Sequence, residues 1–274
     1  MKVTRRQFLA LAGTAGAAVA ADAFGYEAHR VLVSRHDVRV PGLASELNGI
    51  RLAQVSDVHF PGNQIAARVA LEHLHRERPE IVVLTGDMTE TALALDDVRT
   101  FAAEARGSLD TVALLGNWEH RAGVATSMAA GTYRSAGIQL LVNQSRTVDV
   151  GGVPLTLVGL NDGVVGEIDL PVARRDVVAG ATEIWLVHSP GFAEHPPAGV
   201  AARPAMVIAG HTHGGQIRIP LLPAVKPTGA GRFLEGWYHD TFAPMYVSRG
   251  VGTTGIPARF RCPAELPIFT LRAA

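Results

Sequence analysis

Asp57 and His59 stand two apart in the stretch SDVH, directly after an apolar run. The same event recurs along the chain. Asp87 follows Gly86 in TGDMT, and Asn117 follows Gly116 in LLGNWEH. His188 closes another run in LVHSP, and His211 and His213 stand two apart in AGHTHGG. Each element alone is weak, because a lone Asp at a strand end is commonly a turn or cap residue. Together they offer three oxygen donors and four imidazoles, all at the same place relative to a preceding run. That donor set suits two ions sharing a carboxylate, and mixed nitrogen and oxygen donors suit Mn, Fe or Zn. The single cysteine, Cys262, provides no intrachain disulfide and leaves the metal to His, Asp, Glu and Asn. Two divalent ions about 3.5–4 Å apart lower the pKa of a bridging water and clamp phosphoryl oxygens. In-line attack of hydroxide on phosphorus is one reaction that such a pair of ions supports. A neutral Asn supplies a ligand without adding charge that repels a phosphate.

Such residues need elements that gather them. Short apolar runs precede each cluster: Arg51 to Ser56, Ile81 to Thr85, Thr111 to Leu115, Val153 to Leu160, Glu183 to Val187, and Ala205 to Ala209. They are near-continuous in Val, Ile and Leu, as expected of strands covered on both faces. In extended backbone, side chains at i and i+2 share a side, which would let Asp57 and His59 reach one ion. Amphipathic stretches lie between the runs. Ile65, Val69 and Leu74 mark one within Gln64 to Arg78, and Leu95, Val98 and Phe101 mark one within Thr91 to Arg106. Asp37 to Val40 alternates like a hairpin strand, and strand signals return at Met245 to Ser248 and Pro267 to Leu271. The class is therefore α/β, with helices around β-sheet and polar groups at strand ends, where open α/β sheets bind ligands.

The 274 residues are ample for a substantial core, and Lys plus Arg balance Asp plus Glu at 25 each. Nothing in that balance points to a nucleic acid polymer. The N-terminus reads as an address. Arg5-Arg6 precede a mild apolar stretch from Phe8 to Val19, and Ala18-Val19-Ala20 and Ala21-Asp22-Ala23 both have an A-x-A form. The paired arginines resemble a twin-arginine export signal. The stretch is short and rich in Ala and Gly for a membrane-spanning helix. This reading assigns residues 1–25 to a signal or anchor and 26–274 to one domain. The implied partner is the twin-arginine export machinery, with membrane association if the signal stays. The implied location is extracytoplasmic: periplasm, cell wall or the outer face of the inner membrane.

The ordered set DVH, GD, GN, H and GHTH resembles the calcineurin-like metallophosphoesterases, over roughly Ile50 to Leu271. GHTHGGQ and YVSRGVGTTGIPARF look like the exported bacterial YkuE/YaeI-like branch, which includes enzymes acting on UDP-diacylglucosamine. The resemblance implies a β-sandwich flanked by α-helices, with the metal site at the C-terminal ends of strands. It implies one ion on Asp57, His59, Asp87 and His213, and another on Asp87, Asn117, His188 and His211, with Asp87 bridging.

One position departs from the family pattern. Trp118 stands where the family has a histidine thought to stabilise the transition state or protonate the leaving oxygen. An indole offers only an N–H donor and cannot be a general acid. His120 is either its substitute or a helix-start surface residue. Glu119 is similar to an acidic residue common in the family, suited to orienting a ligand. Loss of a general acid matters least when the leaving group is already stable, such as a phosphate. Trp118 therefore favours a diester or pyrophosphate bond over simple alkyl monoesters, and it could also stack on a base or sugar or touch a lipid.

Other signals carry less. Gly250 to Gly255 matches G-x-G-x-x-G, but Ile256-Pro257 follows and no βαβ unit remains, so a structural loop is expected. Arg249 beside it is a candidate for a substrate phosphate. His73 and His75 would face different ways on a helix, and His29, His36, His195 and His239 lack a partner pattern. No nucleotide P-loop and no G-x-S-x-G occurs. Pro220 to His239 is either a meandering surface loop or a lipid-facing lip. The expected activity is metal-dependent hydrolysis of a small-molecule or lipid phosphoester, such as an envelope precursor. The alternatives are a broad extracytoplasmic phosphomonoesterase and a catalytically silent metal- or phosphate-binding protein.

Overall fold

The computed structural model describes residues 4–194 and 203–274; His195 lies outside them. Among the described residues, twelve strands form two six-stranded sheets. The first contains β1 (Val31–Val40), β2 (Arg51–Val55), β3 (Ile81–Leu84), β4 (Asp110–Ala113), β5 (Gln139–Leu140) and β12 (Ala264–Ala273), in the order β1-β12-β2-β3-β4-β5. The second contains β6 (Gln144–Val150), β7 (Val153–Gly159), β8 (Thr182–Leu186), β9 (Met206–Ala209), β10 (Gly236–Tyr238) and β11 (Met245–Val247), in the order β10-β11-β9-β8-β7-β6. β2, β3, β4 and β5 run parallel to one another, as do β7, β8, β9 and β11.

Alternation along each strand builds the layers. Leu52, Ile81, Val83 and Val112 point inward and meet Leu157, Ile184, Leu186 and Ile208 of the second sheet. The intervening Ala53, Val82 and Leu84 point outward and are covered by α2 (Gln64–Glu77), α3 (Leu95–Glu104) and α5 (Thr126–Ser135). Outside the second sheet, Val158, Trp185 and Val207 pack with the short α6 (Leu170–Ala173). The result is a β-sandwich flanked by helices, as the family resemblance implied.

Three local expectations need correction. The buried face of α2 is Ala66, Ala67, Ala70 and Leu74, while Ile65 is exposed. Small alanines let the helix lie close on the sheet, so the larger apolar residue was the wrong guide. The strand containing Asp37 to Val40 is not part of a hairpin. It is an edge strand pairing parallel with β12, from the other end of the chain. The N-terminal helix is also longer than its apolar stretch suggests. α1 (Arg5–Ala21) continues through Asp22–Tyr26 and Glu27–His29 in tighter or wider turns. The whole of Arg5–His29 is long and apolar enough to cross a membrane, a test that a signal sequence near the N-terminus also passes.

Candidate metal centre

β2, β3 and β4 of one sheet and β8 and β9 of the other end at a common edge, and their carboxyl ends deliver all the candidate ligands. Ring and carboxylate atoms of Asp57, His59 and His213 lie within 4.8 Å of one another, as do those of Asp87, His188 and His211. The two groups touch through Asp87. Its Oδ1 accepts the Trp118 N–H at 2.8 Å. Its Oδ2 lies 3.0 Å from His188 Nε2 and 3.8 Å from His59 Nε2. One carboxylate oxygen is thus left between both clusters, as a bridging ligand requires.

The backbone that aims these groups differs from expectation. β2 ends at Val55, and Asp57 (φ 57) and His59 (φ 58) are left-handed rather than extended. Asp87 (φ 52), His211 (φ 76) and His213 (φ 50) share that conformation. Each such residue costs about 1–2 kcal/mol, and strain of this kind concentrates where a site over-determines its groups. Neighbouring glycines supply the room. A Cβ on Gly116 would meet His188 Cε1 at 2.8 Å, and one on Gly250 (φ 68) would meet the Asp57 Cβ at 2.7 Å.

The ring nitrogens are sorted by their partners. His188 Nδ1–H donates to Thr85 O at 2.8 Å, and His211 Nε2–H donates to Thr228 O at 2.8 Å. His59 Nδ1 meets Glu90 Oε1 at 2.9 Å. In each case the other nitrogen faces the cluster: His59 Nε2 lies 2.9 Å from His213 Nε2, and His211 Nδ1 lies 3.2 Å from His188 Nε2. Fixing one nitrogen by an oxygen partner is how proteins present the other to a metal. The buried Oδ1 of Asn117 has no hydrogen-bond partner at all, which a metal ligand would explain.

Electrostatics agree. Burial lowers the pKa of His211 and His213, and neighbouring imidazoles lower it further, so both stay neutral with lone pairs available. Burial also opposes charge on His188, but the Asp87 carboxylate outweighs it and the pKa is pushed up to about 10. For Asp87, burial again opposes charge, and the His188 charge and hydrogen bond hold it well below the usual carboxylate range. The residues therefore suit two divalent ions.

Of the supporting groups, Glu90 and Arg259 escaped the sequence reading, while Glu119 was named in it. Glu119 is buried and accepts N–H bonds from Asp87 (3.0 Å), Met88 (2.6 Å), Thr89 (3.2 Å) and Gly116 (2.8 Å). It ties the loop carrying Asp87 to the start of α4 (Asn117–Arg121); its orienting role was anticipated, its four bonds were not. Glu90 holds His59 and also accepts the Thr254 hydroxyl at 2.9 Å. The guanidinium of Arg259, buried completely and pulled down to about 10 by that burial, donates to the carbonyls of Arg249 (2.8 Å) and Gly252 (2.6 Å). It locks the glycine loop, whose Gly252 N–H in turn donates to Asp57 O at 2.7 Å. Replacing Glu90 by glutamine should weaken metal binding by about 10–100-fold, read by competition with a chelator, and leave thermal stability near wild type.

A cavity of about 620 Å³ opens over the ligands. Asp87, Asn117, His211 and His213 form its buried floor, and Trp118 and Arg121 form part of its wall. The Arg121 guanidinium lies 5.9 Å from the Trp118 ring centre, a cation–π distance. His120 does not line this cavity; its Nε2 meets Asn161 Oδ1 at 3.0 Å. Arg249 is also elsewhere, with Nη2 at 3.4 Å from Glu265 and Nε at 3.8 Å from Glu235.

The sequence pattern described as "Calcineurin-like phosphoesterase superfamily domain" matches residues 50–219. The Bacillus subtilis protein named "Uncharacterized metallophosphoesterase YkuE" is 26% identical, over 99% of this chain and 99% of its own. The Escherichia coli protein named "Phosphodiesterase YaeI" is 27% identical, over 98% of this chain and 99% of its own. Among solved structures, a 5′-nucleotidase precursor from Thermus thermophilus aligns with a TM-score of 0.47 at 16% identity, covering 74% of this chain and 49% of that one.

Proposed function

The chain belongs to the calcineurin-like phosphoesterase superfamily, and from that membership we propose that it is an exported, two-metal hydrolase preferring phosphodiester or pyrophosphate bonds. Residues 26–274 act as its catalytic domain. Asp57, His59, Asp87 and His213 would hold one ion, and Asp87, Asn117, His188 and His211 the other, with Mn, Fe or Zn as the metals that suit these donors. Bound there, the ions would supply an activated water and a clamp on the phosphoryl oxygens. The protein's own share is positional. Asp87 Oδ1 is held by the Trp118 N–H, so Oδ2 is the oxygen aimed at both clusters. Arg121 is placed on the cavity wall to pair with a second phosphate or a diester oxygen beyond the reacting centre.

The observation that carries the bond preference is the absence of an imidazole at the cavity wall where Trp118 stands, with His120 bonded instead to Asn161. General acid catalysis contributes about 10²–10⁴-fold when it is available. A phosphate or aryl oxide leaving group needs it least. The relative named as a phosphodiesterase points the same way. Trp118→His should raise kcat/KM on an alkyl phosphate monoester relative to a UDP-linked pyrophosphate, shifting the ratio by about tenfold or more. An unchanged ratio would return the reading to a broad phosphomonoesterase. Arg5-Arg6 ahead of the apolar helix support twin-arginine export, to a site where an envelope precursor is the fitting phosphoester.

A further inference from the structure

We infer that Thr254 is a positioning residue for the ion that Asp57, His59, Asp87 and His213 would hold: its hydroxyl holds the Glu90 carboxylate, and that carboxylate aims His59. This rests on the two-metal reading above and adds to it a group from the glycine loop, Gly250 to Gly255, where the sequence promised only structure. One oxygen of Glu90 joins the two. Oε1 accepts the Thr254 hydroxyl at 2.9 Å and lies 2.9 Å from His59 Nδ1. The Glu90 side chain is 32% exposed, so packing does not fix it, and a carboxylate this wet gains little from one charged or polar neighbour. The hydroxyl supplies the second hold. It keeps Oε1 against Nδ1, and Nε2 of the same ring is then turned to the cluster, 2.9 Å from His213 Nε2.

The loop is built to place that hydroxyl. Both backbone groups of Thr254 are engaged by one amide. Gln216 Oε1 accepts the Thr254 N–H at 2.9 Å, and Gln216 Nε2 donates to Thr254 O at 3.1 Å and to Ile256 O at 2.8 Å. The backbone is thus held without the Thr254 side chain, which is left for Glu90. Gln216 is itself left-handed (φ 50), a strained conformation of the kind that persists where the surroundings over-determine a functional segment. Its N–H donates to His213 O at 3.0 Å. His59, Glu90, Thr254, Gln216 and His213 therefore form a chain of contacts that begins and ends on ligands of the same ion. Thr254 and Gln216 also line the cavity, so the wall that meets substrate is the wall that aims a ligand.

The test follows Mn²⁺ binding to full-length, metal-stripped protein by competition with a chelator, with turnover of bis(p-nitrophenyl) phosphate in the same samples. Thr254→Val keeps the shape and removes the hydroxyl. It should weaken the binding of one of the two ions by about tenfold, and half-maximal turnover should need about tenfold more Mn²⁺. Thr254→Ser keeps the hydroxyl and should bind Mn²⁺ within about twofold of wild type. In a Glu90→Ala background Thr254→Val should add less than about twofold, because residues that act through one contact do not add. Wild-type affinity in folded Thr254→Val, an equal loss in Thr254→Ser, or an undiminished loss in the Glu90→Ala background would overturn the inference. Should Thr254→Val fail to fold, Thr254→Ser and Thr254→Ala, which differ by the hydroxyl alone, decide: tighter Mn²⁺ binding by the serine variant upholds the inference, and equal binding overturns it. Folded wild-type protein that binds fewer than two Mn²⁺ defeats the two-metal reading itself; two ions bound by wild type and equally by Thr254→Val defeats this inference alone.

Discussion

Asp87→Asn is expected to lower kcat/KM on bis(p-nitrophenyl) phosphate by at least about 10³-fold, the loss of several kcal/mol of transition-state stabilisation. The reason lies in one atom. Oδ2 is the oxygen within 4 Å of imidazoles in both clusters, while Oδ1 is already engaged with Trp118 N–H. An amide can keep the Trp118 bond through its oxygen, but it then turns an NH₂ group toward both clusters. The variant should fold, because its shape is unchanged, and it should lose at least one bound ion per chain. Activity together with metal content by elemental analysis checks this. Retention of both ions and most activity would mean that Asp87 does not bridge.

The largest effect on stability is expected at Glu119. Glu119→Ala removes the acceptor for four N–H groups, on Asp87, Met88, Thr89 and Gly116. A buried donor left unsatisfied costs about 1–3 kcal/mol, and water entering the vacated space offsets part of the sum. A net loss of about 3 kcal/mol corresponds to a Tm lower by roughly 6–12 °C for a chain of this size. Burial and the nearby Asp87 raise the pKa of Glu119, and the N–H bonds work against that rise. Glu119→Gln keeps one acceptor oxygen and should lose less. A Tm within about 2 °C of wild type for the alanine variant would show that the loop holds itself. Metal affinity should also fall by about 10–100-fold, because the loop aims Asp87.

Much of this site is legible in the sequence because its ligands sit in short motifs at strand ends, and Asp87, Asn117, His211 and His213 each adjoin a glycine. Spacing alone pairs Asp57 with His59, but His211 and His213, equally spaced, go to different clusters. The apolar runs before them mark the α/β class and the five strands whose ends deliver the ligands. What spacing cannot show is contact between distant residues. Glu90 reaching His59 joins loops after two different strands, and Arg259 bracing the loop beside Asp57 depends on a chain reversal with no sequence mark. Arg121 is one residue from His120 yet lies on the cavity side, because α4 turns the two apart. The left-handed conformations of Asp57, His59 and Asp87 were also invisible, since such φ values are costly for side-chain-bearing residues and arise only where the tertiary structure demands them. The pairing of β1 with β12 joins the two ends of the chain and had no local signature.

The most direct test of the two-ion reading is a titration of metal-stripped protein with Mn²⁺, following bound metal and diester turnover in the same samples. The expected result is two ions bound per chain, with turnover rising only as the second site fills. Full turnover at one ion per chain, or none with two bound to folded protein, would contradict it.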